Sequence, residues 1–154
     1  MFAPNVPKGV VKMAVNGLVI AMLTAETVSD IKRRVVSGVR LIIFLAVAIG
    51  VNLIFNYQSV WSMAGGMAVG AAMFLYAAVT KESIGYGDCL VFVCAGSYLG
   101  FSRNIRLLLG SFLIAAVAGG IYSLVKHKGI KARIPFIPCI LTAFIIEIVM
   151  EGLL

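Results

Sequence analysis

The sequence predicts an all-α membrane protein, a polytopic bundle of six transmembrane helices, on three observations. The chain is 62% hydrophobic and only 12% charged, whereas a soluble domain carries about 25% charge and 45–50% apolar residues. The mean hydropathy is +1.08. The apolar residues also gather into six stretches rather than spreading evenly. With no water in the hydrocarbon core, each span must satisfy its own backbone polar groups, which selects helices over open strands. At 154 residues the chain forms a single membrane-embedded domain, residues 1–154.

The stretches lie near residues 9–28, 39–55, 59–80, 88–101, 107–125 and 135–153. Most are long enough as helices to span about 30 Å of hydrocarbon. The fourth, with 14 residues, is short and calls for tilt, local thinning or a start inside a protein-lined cavity. Gly65, Gly66, Gly70, Ala71 and Ala72 give the third stretch a small-residue face, as Gly96 and Gly100 do for the fourth, and such faces let helices pack closely. Arg103 and Arg106 fall in the connection between stretches four and five. Pro135 and Pro138 suit the start of the sixth, where a missing N–H costs nothing.

The net charge of +7 is not a nucleic-acid signature here, because the basic residues sit between apolar stretches as topology signals and headgroup contacts do. Lys32, Arg33, Arg34, Arg40, Lys81, Lys126, Lys128, Lys131 and Arg133 fall on one side, nine in all; Lys8, Lys12, Arg103 and Arg106 fall on the other. The positive-inside rule makes the first side cytoplasmic and puts both termini outside. The first apolar stretch lacks a short core followed by a small-residue cleavage site, so no cleavable signal peptide is expected.

The chain has two aspartates, Asp30 and Asp88. This topology places both at the cytoplasmic face, Asp30 at the end of stretch one and Asp88 at the start of stretch four. An acid within a membrane segment costs about 2.5–3.5 kcal/mol at the bilayer centre and less near the interface. Capping of a helix N-terminus would explain Asp88 alone. A pair has sharper chemistry: two carboxylates sharing a site do not both ionise easily, so one holds a proton while the other acts as a base. Such a pair can activate water and protonate a leaving amide nitrogen without metal or covalent intermediate.

Asp88 closes the motif Gly85-Tyr86-Gly87-Asp88, followed by Gly96-Ser97-Tyr98-Leu99-Gly100. Asp30 opens Asp30-Ile31-Lys32-Arg33-Arg34, and Ile134-Pro135-Phe136-Ile137-Pro138 opens the last stretch. In this order the three patches resemble the type IV prepilin peptidases and their archaeal preflagellin relatives, the GxGD membrane aspartic peptidases, over roughly residues 15–145. The resemblance implies Asp30 and Asp88 as catalytic residues. It implies Gly85, Tyr86, Gly87, Pro135, Phe136 and Pro138 as residues that bind substrate or shape the site. It further implies a prepilin-like precursor as substrate, cut where a short basic leader meets an apolar helix, and a place in type IV pilus assembly or protein secretion.

The sequence also departs from that family. The first motif continues Val35-Val36-Ser37 where Ile-Pro-Asn is common, and Cys89-Leu90 follows Asp88 where Val-Lys is common. The paired CxxC loop of larger members is missing, so the likeness is to the short peptidase-only form, with no metal, no cofactor and no methyl transfer expected. Cys89, Cys94 and Cys139 form no CxxC and read as buried packing thiols. His127 reads as a solvated loop residue. Glu26 lies one helical turn before Asp30 on the same helical face, where it could tune the pKa of Asp30, but it reads first as an interfacial acid snorkelling to water. Glu147 and Glu151 fall at the outer end, away from the site.

Two rival readings differ in class. Presenilin-type and signal-peptide-peptidase-type proteases carry more spans and a Pro-Ala-Leu motif that this chain lacks. A small transporter or assembly factor could use paired acids as a proton relay, but such transporters show internal repeats, and none is evident. The pair reading requires stretches one and four to be neighbours at their cytoplasmic ends, with residues 134–138 nearby and the carboxylates within about 6–7 Å of each other, close enough to share one water. Partners expected are the precursor and the lipid bilayer; oligomeric state is left open.

Overall fold

A computed structural model describes residues 6–33, 36–80, 85–126 and 136–153. Among these, every element is helical: α1 (Lys8–Arg33), α2 (Gly38–Phe55), α3 (Val60–Val79), α4 (Tyr86–Lys126) and α5 (Ile137–Leu153). Four of them, α1 to α4, contain stretches long and apolar enough to cross a membrane. The fifth, α5, has 17 residues, about 26 Å of helix.

The α2–α3 connection follows from its sequence. Asn56 ends α2 in the left-handed conformation (φ 45°) and donates its N–H to the Asn52 carbonyl; asparagine tolerates that region better than most residues. The Asn52 side chain accepts from the Gln58 N–H at 3.0 Å. Ser59 then caps α3 by accepting from the Ser62 N–H at 3.2 Å.

The expected loop between stretches four and five is not there. Helix α4 runs through both, interrupted only at Gly100 (φ 74°, ψ −179°), a region open essentially only to glycine. At that residue the chain folds back. Residues 92 and 112 would be about 30 Å apart in a straight helix, yet the Phe92 and Phe112 rings lie 6.5 and 5.4 Å from the Phe136 ring. The wholly buried Asn104 likewise donates to the Phe92 carbonyl at 3.0 Å and to the Gly66 carbonyl at 2.8 Å, tying both arms of α4 to α3. Interhelical hydrogen bonds in membranes average about 0.6 kcal/mol, so these bonds fix register more than they add stability. The close approach comes from Gly66, where an added Cβ would fall 2.8 Å from the Gly100 carbonyl carbon and 2.9 Å from that of Gly96.

Arg103 and Arg106 are therefore helical residues, not loop residues. Their guanidinium groups meet Glu147 and Glu151 of α5 at 3.1–3.5 Å, and Lys12 of α1 meets Glu151 at 2.9 Å. This ionic layer fastens α1, α4 and α5 at the end of the bundle opposite the aspartates. Between the two ends Val11, Val15, Val19, Met22 and Leu23 of α1 pack into one apolar cluster with Phe92 of α4 and Ile140 and Phe144 of α5.

Candidate active site

Both aspartates sit at the same end of the bundle. Asp30 lies within the last turn of α1, not beyond it, because that helix continues to Arg33. It is half-buried, and its Oδ2 atom is closed off from solvent. Asp88 is also half-buried and lies in the first turn of α4. It is not the N-cap: the helix begins at Tyr86, and the Asp88 N–H already donates to the Gly85 carbonyl at 3.0 Å. The two carboxyl groups are close enough for the charge of Asp30 to bear on Asp88. The charge of Asp88 in turn bears on the thiols of Cys89 and, on α5, Cys139.

The two motif glycines hold this corner together. The Asp88 carboxylate folds over Gly85, where a Cβ would stand 3.0 Å from Oδ2. At Gly87 a Cβ would stand 2.5 Å from Cγ2 of Val36, the residue that leads into α2. The room left at Gly87 is thus occupied by the protein itself and is not open for a substrate backbone. Tyr86 turns toward α3, its ring 5.1 Å from that of Phe74. Phe136 lies between Phe92 and Phe112, joining the two arms of α4 to the start of α5. Pro138 is the second residue of α5, consistent with a helix start; Pro135 lies outside the described residues, as does His127.

Glu26 departs from expectation most. It is completely buried (0% exposed) rather than reaching for water. Its carboxylate accepts from Arg40 Nε at 2.9 Å, from Arg40 Nη2 at 3.1 Å and from the Ser37 N–H at 3.2 Å. The Arg40 Nη2 group also donates to Ser29 Oγ at 2.5 Å. Sequence reading assigned Arg40 to topology and Glu26 to the interface. The missed signal was a lone acid on an otherwise apolar helix face, which needs a cation. Cys89, Cys94 and Cys139 are free and buried, as expected of packing thiols. Among the described residues no three His, Cys, Asp or Glu side chains gather as metal ligands would.

The helices, four of them with stretches long and apolar enough to cross a membrane, have the architecture of an integral-membrane protein. The family is settled by comparison: the model of the type IV leader peptidase family matches residues 17–124, and the chain belongs to that family. No curated protein and no solved structure matches it significantly. Membership makes the chain a protease of the leader-peptidase kind acting on precursor proteins, and it does not favour a transporter or assembly factor. The matched stretch contains Asp30, Glu26, Arg40 and the whole Gly85–Asp88 corner.

Proposed function

We propose that the protein is a membrane aspartic endopeptidase in which Asp30 and Asp88 share one catalytic water, and that it removes the short basic leader of a prepilin-like precursor at the cytoplasmic face. The observation that carries this reading is the meeting of the chain's two aspartates, from different helices, at one end of the bundle within electrostatic reach of each other. One carboxyl, protonated, gives its proton to the scissile carbonyl oxygen as water adds to the carbon; the other, ionised, takes a proton from that water and passes it to the leaving nitrogen as the C–N bond breaks, while a hydroxyl of the tetrahedral intermediate returns a proton to the first. Like charges in one site favour the singly protonated state that such a division of labour requires.

The proposed topology has six passes. Each arm of α4 makes one crossing about the turn at Gly100, and α5 makes the last. The basic residues place the aspartate end in the cytoplasm and both termini outside. That orientation suits a substrate whose charged leader stays in water while its apolar helix enters the lipid. Tyr86, Phe136 and Pro138, with Gly85 and Gly87, shape the corner in which the peptide would be held extended.

The test is co-expression of the protein with a precursor, read by immunoblot. Asp30→Asn and Asp88→Asn are each expected to abolish processing while the protein still inserts in the membrane. Near wild-type processing by either variant removes that residue from the mechanism.

A further inference from the structure

We infer that the Glu26–Arg40 ion pair is a positioning element that sets the approach of Asp30 to Asp88, an inference that rests on the reading of these two aspartates as the catalytic pair. The buried face of α1 runs through Val11, Val15, Val19, Met22 and Leu23 and stops at Glu26. Among the described residues past it, Thr27, Ser29 and Asp30 are half-buried and Val28 and Ile31 are exposed. The run of fully buried apolar side chains thus ends before the turn that carries Asp30, leaving a gap in it.

Arg40 reaches into that gap from the first turn of α2. Its two-pronged contact with Glu26, at 2.9 and 3.1 Å, and its bond to Ser29 Oγ fix the turn on both sides of Thr27 and Val28. The Ser37 N–H on the same carboxylate draws in the entry to α2. Its neighbour Val36 then fills the space at Gly87, next to Asp88. A continuous path of contacts thus runs from Glu26 through Ser37 and Val36 to Gly87, and a branch through Arg40 and Ser29 ends beside Asp30.

A purely stabilising role fits less well. Glu26 is fully buried but the Arg40 side chain is 38% exposed; exposed pairs contribute little, and buried ones are often matched or bettered by apolar replacements. The planar guanidinium, however, fixes direction, which lysine does not. Direction matters here because a displacement of about 1 Å in a reacting group can cost roughly 10²-fold in rate.

The test uses two readouts on the full chain in lipid vesicles. The first is geometric and needs no substrate: Asp30→Cys and Asp88→Cys, with Cys89, Cys94 and Cys139 replaced by alanine, joined by a short bifunctional thiol reagent. The second is precursor cleavage, with kcat and KM separated, in the chain with its native aspartates. Ser29→Ala, Arg40→Lys and Arg40→Gln should lower both the cross-linking yield and kcat progressively, with Arg40→Gln costing kcat about 10²-fold. KM should stay near its wild-type value, as it does when an interaction acts only on the transition state. Arg40→Lys should recover part of what Arg40→Gln loses. If Arg40→Gln fails to insert, the neutral pair Glu26→Gln with Arg40→Gln carries the same expectation. Unchanged cross-linking and unchanged kcat in an inserted variant overturn the inference. A wild-type protein that cuts no precursor, while cross-linking still falls in the variants, overturns the proposed function and leaves the positioning role standing.

Discussion

The two ends of the bundle handle charge in opposite ways. At the end opposite the aspartates, Glu147 and Glu151 interleave with Lys12, Arg103 and Arg106. Arg103 also donates to Asn16 at 3.1 Å and stacks over the Phe144 ring at 5.9 Å. Acids and bases there alternate, and the result joins three helices. At the other end two acids from different helices come within reach of each other's charge, and one turn back along α1 Glu26 engages Arg40. Gathering like charges at a membrane interface is unfavourable. The first arrangement pairs opposite charges, whereas the second brings like charges together, and the proposed catalytic pair gives that end a use.

Substitutions can break this contrast at several points. The largest structural effect is expected at Gly100, which both ends depend on because it turns α4 back on itself. Gly100→Ala forces a side chain into a glycine-only conformation, at a cost of about 1–3 kcal/mol, and its Cβ would meet Ser62 Oγ and Gln58 Oε1. The expected readout is a lower thermal midpoint in detergent, with loss of cleavage in proportion to the folded fraction.

Gly87→Ala should act more locally. Its Cβ would press on Val36 and push the entry of α2 from the start of α4. Cleavage should fall about tenfold or more, as misplacement of reacting groups does, with little change in thermal midpoint. The paired change Gly87→Ala with Val36→Ala should restore much of the rate; a pair as slow as the single variant would mean that Gly87 serves something other than this contact.

Smaller still is the effect expected at the ionic end. Arg106 is 55% exposed on its side chain, and exposed ion pairs contribute about 0.2–1 kcal/mol. Arg106→Gln should lower the thermal midpoint slightly and leave kcat alone. A large loss of kcat there would erase the distinction between a structural end and a reactive one. Finally, EDTA and 1,10-phenanthroline should leave cleavage unchanged; loss of activity restored by added zinc would assign the chemistry to a metal.

These predictions draw on features that the sequence reveals unequally. Hydropathy marks where helices lie, because a bilayer imposes one dominant rule, and the bounds of α2 and α3 came within a residue or two of the expected stretches. The alternation of basic loops and two lone aspartates led to the expectation that Asp30 and Asp88 share one membrane face, and the structure has the charge of Asp30 bearing on Asp88. What the sequence hides is contact between helices. Gly100 reads as one more small packing residue, since nothing local distinguishes a close-packing glycine from one with positive φ. Arg103 and Arg106 read as loop residues because their glutamate partners are more than forty positions away. Glu26 and Arg40, 14 positions apart, each have an ordinary interfacial explanation alone, and only the fold shows that they explain each other.

The most direct test of the account is the cleavage rate of purified protein in vesicles, under single-turnover conditions, for Asp30→Asn, Asp88→Asn and the double variant. The account predicts that each single change lowers the rate by about 10²-fold or more, as removal of a general acid or base does. It also predicts that the double variant is no slower than the worse single one, because groups that act as a unit lose their effect together. An Asn variant at either position that cleaves within a few-fold of wild type would contradict it.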